Sequence, residues 1–177
     1  MFEKFTGDAR EIVIAAQREA VERHAPEITP IHVLQALLRR PDSEAGRLLT
    51  RLGVPVAEVA AEAERVRRRG GISEADATAL GEFGIDVDRI VERLEQVHGP
   101  DPFTSAQAVR VKRRHVPFAD ESKKTLEICL KEVIKLGGRE LGSQHILLAL
   151  AVLRGPAADV LARFDVDAPR LRQALSA

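Results

Sequence analysis

The chain has 177 residues with 27 basic and 27 acidic side chains, so its formal net charge is zero. Its apolar fraction of 45% is that of an ordinary folded domain, which excludes disorder as the default. Neutrality argues against a strongly basic nucleic-acid binder, the lack of Trp and Tyr argues against a stacking platform for bases or sugars, and the single Cys129 excludes a disulfide or a multi-cysteine zinc site. No stretch approaches the roughly 18 apolar residues of a membrane span, and the first ten residues lack the apolar core of a secretory signal, so a cytoplasmic location is expected.

In chain order, the first element is a helix over 7–24, with Ala9, Ile12, Val13, Ala16 and Ala20 at helical spacing and Thr6 placed to cap it. A short apolar helix follows over 30–39, opened by Thr29-Pro30, then helices over 43–52 and 55–68 on either side of Gly53. The segment 70–115 differs in character. Residues 72–101 carry eight acidic groups against two arginines, and basic clusters flank them: Arg65, Arg67, Arg68 and Arg69 before, Arg110, Lys112, Arg113 and Arg114 after. One helix is expected within it, over 86–97, followed by a loop from Gly99 to Ser105. Helices over 120–137, 143–153, 157–164 and 167–175 complete the chain, with Gly137-Gly138 as the stop of the first and Ser143 as the cap of the second.

The last four elements repeat the first four. At an offset that sets Phe5 on Phe118, Asp8 meets Glu121, Arg10 meets Lys123, Ala16 meets Cys129, Glu19 meets Glu132, Ile28 meets Leu141 and His32 meets His145, with no gap. After a shift of one residue, Leu49 meets Leu161 and Val54 meets Val166. Within the middle segment, Phe83-Gly-Ile-Asp-Val-Asp-Arg-Ile is similar to the stretches beginning at Leu52 and at Phe164. The expected architecture is all-α: a first four-helix repeat over 1–69, a charged insert over 70–115 and a second repeat over 116–177, together one compact domain.

No phosphate-binding glycine loop, nucleophile elbow or metal-binding His-Glu-x-x-His helix is present, so no enzyme, metal or cofactor is expected. His32 and His145 are repeat equivalents at helix starts. They are either a ligand pair or a local hydrogen bond made once per repeat, and the lack of a second ligand four residues on favours the local bond. Cys129 replaces Ala16 on an apolar face and reads as a small buried hydrophobe. The basic clusters at 65–69 and 110–114 would serve a nucleic-acid-associated regulator; the alternative is that they offset the acidic insert within the same molecule. Phe118 precedes a helix start that carries Lys123, which suits an extended peptide or an anion, whereas Phe5 and Phe118 would otherwise plug the core of each repeat.

MFEKFTGDAREIVIAAQREA, ITPIHVLQALL and LLTRLGV, with VPFADESKKTLEICLKEVIKLGGRELGSQHILLAL in the second copy, resemble the Clp N-terminal domain of Hsp100 unfoldases, especially the ClpC type. The resemblance implies two four-helix repeats and a non-catalytic module that receives peptides, client proteins or Clp components. With no ATPase module in these 177 residues, it implies a free-standing monomeric decoy, adaptor or sensor. It also implies two ligand sites. The residues matching the family's cyclic-peptide antibiotic site are Phe2, Arg10, Phe118 and Lys123. The family's phosphoarginine pockets use a Glu that is Ile31 in the first copy and Gln144 in the second, and the Thr opening the first helix is Thr6 in one copy and Ala119 in the other. Ile accepts no hydrogen bond from a guanidinium and Gln carries no charge, so Thr6 and Gln144 mark the better conserved of the two pockets.

Overall fold

A computed structural model describes residues 4–105 and 116–176. The first repeat consists of α1 (Gly7–Glu22), α2 (Pro30–Leu38), α3 (Glu44–Arg51) and α4 (Val56–Arg68). The insert contributes α5 (Glu74–Glu82), α6 (Val87–His98) and the single turn α7 (Pro102–Ser105). The second repeat consists of α8 (Asp120–Lys135), α9 (Ser143–Val152), α10 (Pro156–Ala162) and α11 (Ala168–Ser176). The fold is all-α, two pseudo-symmetric four-helix repeats with an inserted charged segment.

Two helices form the centre. Almost every residue of α2 and α9 is buried, because both are apolar around their whole circumference. The amphipathic α1 lies along α2 and α8 lies along α9, while α3 crosses to α9 and α4 contacts both α2 and α10, so each repeat packs on the other. Cys129 lies inside this core, and burial pushes its thiol up to about 12, which removes it from thiolate chemistry. Glu19 and its equivalent Glu132 are buried too. Each is held by a two-pronged arginine: Arg39 on Glu19 at 3.1 Å for both bonds, Arg172 on Glu132 at 2.9 Å for both.

The repeats are joined by reciprocal backbone pairs. Phe5 bridges to Leu141 and Ile28 bridges to Phe118, both in parallel. Thr6 N–H donates to Leu141 O at 3.0 Å and Leu141 N–H to Lys4 O at 2.7 Å. In the symmetric place, Ala119 N–H donates to Ile28 O at 3.0 Å and Ile28 N–H to Pro117 O at 2.8 Å. The segment before each first helix thus completes the segment before the other repeat's second helix.

The insert departs from expectation in two ways. The stretch over 74–82 is helical, and Pro102–Ser105 is a helical turn rather than loop. Helix α5 escapes a periodicity argument because it buries no residue; its start is set instead by Ser73, whose hydroxyl accepts Asp76 N–H at 3.1 Å. With α6 it forms a third copy of the α3–α4 and α10–α11 hairpins. In all three, the residue after Leu52, Phe83 or Phe164 takes a left-handed conformation: Gly53 at φ 69°, Gly84 at φ 78° and Asp165 at φ 59°. The next amide then returns to the helix, Val54 to Leu49, Ile85 to Leu80 and Val166 to Leu161, each at 3.0 Å. The copies differ in burial: Val59 and Leu171 are fully buried, and their counterpart Ile90 is 48% exposed.

Among the described residues no single helix is long and apolar enough to cross a membrane; α9 and α10 pass that test only as a pair bent by 99°.

Backbone pairs outside regular helices are normally the first amides to exchange with solvent. Here the amides of Thr6, Ile28, Ala119 and Leu141 are expected to exchange as slowly as those in the middle of α2 and α9, because opening either bridge separates the repeats. Hydrogen exchange read by NMR checks this, and loop-like rates at these four positions would contradict the bridged seam.

Candidate functional site: the seam between the repeats

Each bridge brings two helix starts together. At the first, the start of α1 meets the start of α9. Thr6 caps α1, its Oγ1 accepting Ala9 N–H at 3.4 Å and its hydroxyl donating to Asp8. Ser143 is expected to cap α9, but Gly142 occupies the cap position and Ser143 is the first helical residue. The Ser143 hydroxyl instead donates to Asp8 Oδ2 at 2.6 Å and accepts Ala45 N–H from α3 at 2.9 Å. Asp8 also accepts amides from Ala9 at 2.8 Å and Glu44 at 3.2 Å. Burial alone would raise its carboxyl, but the bonds from Ser143, Thr6 and the two amides outweigh it and hold the group below the usual carboxylate range. Asp8 therefore supplies the negative charge that the starts of α1 and α3 favour.

Gln144 sits one residue on, half-buried, with Oε1 buried and unpartnered among the described residues. Thr6 and Gln144 thus lie on the same side of the molecule, with the Asp8 carboxylate beside Thr6. Asp8 has no functional reading from sequence; its only signal there is its place two residues beyond a Thr cap.

At the second bridge, the start of α8 meets the start of α2. Phe118 is half-buried and packs on the core, and Ser122 Oγ–H donates to Ile28 O at 2.7 Å. Lys123 is exposed and pairs with Asp120 at 2.9 Å. That pairing raises the Lys123 ammonium above its ordinary value through the Asp120 hydrogen bond and charge, with Glu27 adding to it. Arg10, the equivalent of Lys123, is exposed on α1 and donates from Nε to Phe5 O at 3.2 Å. Phe5 is buried in the core, whereas Phe2 lies outside the described residues. Ile31, near the start of α2, is buried.

His32 and His145 each make the local bond. Nδ1 of His32 accepts Thr29 N–H at 3.0 Å and Nδ1 of His145 accepts Gly142 N–H at 3.0 Å, so the free proton of each neutral ring sits on Nε2. Burial, with the charges of Arg67 and Arg23, lowers His32 to about 4 against opposition from Glu64. Burial lowers His145 as well.

The first basic cluster is engaged within the molecule. Arg67 pairs with Glu64 and Asp101 at 2.7 Å each, Arg68 with Glu95 at 2.6 Å, and Arg69 with Glu74 and Asp88 at 2.6 Å each; Arg65 pairs with Glu62. Four of the partners come from the insert, so these arginines fasten it to the end of α4 instead of forming a free basic face. The second cluster, over 110–114, lies outside the described residues. Among the described residues no group of three or more His, Cys, Asp or Glu is placed to hold a metal ion.

Residues 4–77 match the family model described as the Clp repeat (R) N-terminal domain. An uncharacterized protein of Mycobacterium tuberculosis is 28% identical over 96% of the chain, and chaperone protein ClpC1 of Arabidopsis thaliana chloroplasts is 25% identical over 97%. The chain spans 51% of the length of the first relative and 14% of the second. The Hsp104 N-terminal domain of Candida albicans superposes with a TM-score of 0.60 at 16% identity, over 98% of this chain and 89% of that one.

The buried, neutral His32 has a measurable consequence. Its ring titrates at about 4 in the fold against 6.5 ordinarily, so between those values the unfolded chain binds the additional proton. Its contribution to stability is full above about pH 6.5 and is lost as pH falls toward 4, with a slope of up to about 1.4 kcal/mol per pH unit. Urea denaturation across this window is expected to show the loss, with a smaller slope in His32→Gln. Equal slopes in both proteins would contradict the assignment.

Proposed function

We propose that this chain, whose residues 4–77 match the Clp repeat (R) N-terminal domain, is a non-catalytic module that binds peptides or client proteins at the seam between its two repeats. In Clp unfoldases this fold binds substrates or adaptors. The observation that carries the reading is the second bridge, where a half-buried Phe118 and an exposed lysine meet the start of the largely apolar α2. An apolar contact beside a cation, where two helix starts meet, suits an extended peptide or a compact cyclic one. In this reading Phe2 and Phe118 supply apolar contact, Arg10 and Lys123 supply positive charge, and Thr6 with Gln144 forms a lesser second pocket.

At that second pocket the Asp8 carboxylate beside Thr6 repels a phosphate group, and Gln144 itself carries no charge to offer a guanidinium. Phosphoarginine is therefore a weaker ligand than an unmodified peptide. The module acts as a decoy, adaptor or sensor toward Clp clients, Clp components or cyclic-peptide antibiotics. A nucleic-acid role draws no support from Arg67, Arg68 and Arg69, whose charges the insert already answers.

Calorimetric titration with an antibiotic-like cyclic peptide tests the reading. Phe2→Ala, Phe118→Ala and Lys123→Ala are each expected to weaken binding by about tenfold, corresponding to ~1.4 kcal/mol. Affinity equal to wild type in all three would remove the site. A DNA duplex titrated in parallel is expected to show none of the steep salt dependence of phosphate neutralisation.

A further inference from the structure

A cavity of about 420 Å³ opens between the start of α2, the first turns of α8 and the α9–α10 connection. It is lined by none of Arg10, Phe118 and Lys123. Its walls are chiefly apolar, formed by Pro30 and Ile31 of α2, Leu150 and Leu153 beside them, Pro156 of α10 and Phe103 of α7. A volume in this range holds a side chain with its adjoining backbone, and such walls favour an apolar one.

One polar group in the lining is unanswered. His32 is 4% exposed, and its Nε2 has no partner among the described residues. Because Nδ1 accepts the Thr29 amide, Nε2 carries the proton and is a donor. A buried donor without an acceptor is costly, and a ligand acceptor would recover that cost. The charges near it are already balanced. Arg67, with its side chain 7% exposed, pairs with Glu64 and Asp101, and Arg23 reaches the same two carboxylates at 3.5 Å each. An anion entering here meets no uncompensated cation at depth. At the mouth it meets Glu27 and Glu121 against one guanidinium, that of Arg154. The chemistry that fits is a neutral acceptor on an apolar body, with positive charge outside.

We propose that this cavity binds one apolar side chain of an extended peptide, of leucine or isoleucine size, with an adjoining peptide carbonyl accepting from His32 Nε2–H and a flanking lysine or arginine facing Glu27 and Glu121. The inference rests on the peptide-binding reading above but uses different residues. It makes the cavity a selective position: a Leu-centred, basic-flanked peptide enters and an acidic or phosphorylated one does not.

The test is an NMR titration of the full chain with two capped pentapeptides, Lys-Ser-Leu-Ser-Lys and Lys-Ser-Ser-Ser-Lys. The Leu peptide is expected to move the backbone amides of Ile31, Leu153 and Gly155 and the His32 Nε2–H resonance in a saturable way. The Ser peptide is expected to bind about tenfold more weakly or worse, as is the Leu peptide to Leu153→Asp. If Leu153→Asp fails to fold, the comparison of the two peptides on wild type decides alone. Shifts confined to Arg10, Phe118 and Lys123 would overturn the cavity and leave the seam reading standing. Equal binding of the two peptides, or no shift around His32, would overturn the proposal outright.

Discussion

Everything in this molecule depends on the reciprocal backbone exchange between the repeats. Lys4 to Thr6 pairs with Leu141, and Pro117 to Ala119 pairs with Ile28. These segments lie outside the helices, and their amides and carbonyls need partners once buried. Each repeat finds them in the other. The same contact sets the entry of α2 and α9, the two helices with no polar face to leave in water. A single repeat would leave this backbone unpaired and expose one of these helices.

The exchange also decides where binding chemistry collects. It draws four helix starts into two places related by the pseudo-two-fold, and the two places have diverged. One is filled by the chain's own anion: Asp8 with Thr6, Ser143 and the amides of Ala9 and Glu44. The other has Ala119 and Ile31 in the corresponding positions, and it keeps a half-buried Phe118, a cavity and a buried imidazole proton without a partner. An internal carboxylate closes the first to anions, and an apolar wall turns the second toward uncharged ligands.

The insert follows the same rules with a different result. Its hairpin repeats the left-handed turn of α3–α4 and α10–α11, yet it buries only Val87 and Val91, apart from the main core, and Phe83 and Ile90 remain exposed. What fixes it is charge: Arg67, Arg68 and Arg69 at the end of α4 meet Glu74, Asp88, Glu95 and Asp101. The chain's zero net charge is in part this clamp, a basic segment and an acidic segment that neutralise each other in space.

By itself the sequence determined the helical class, the two copies and most helix limits, because apolar spacing, the Thr6 cap and the Gly53 and Gly137 stops are local properties of neighbouring residues. It also carried the local role of His32 and His145, since the bonded amide is three residues away in each case. Tertiary structure alone decided that Ser143 serves Asp8 and α3 instead of capping its own helix, that α5 forms without burying any residue, and that the basic cluster faces the insert. It alone placed the cavity beside His32, whose walls come from α2, α4, α7, α8, α9 and α10. The reason is physical: caps and periodicity act over a few residues, whereas a hydrogen bond from residue 143 to residue 8, or a cavity walled by several helices, exists only after distant segments have packed.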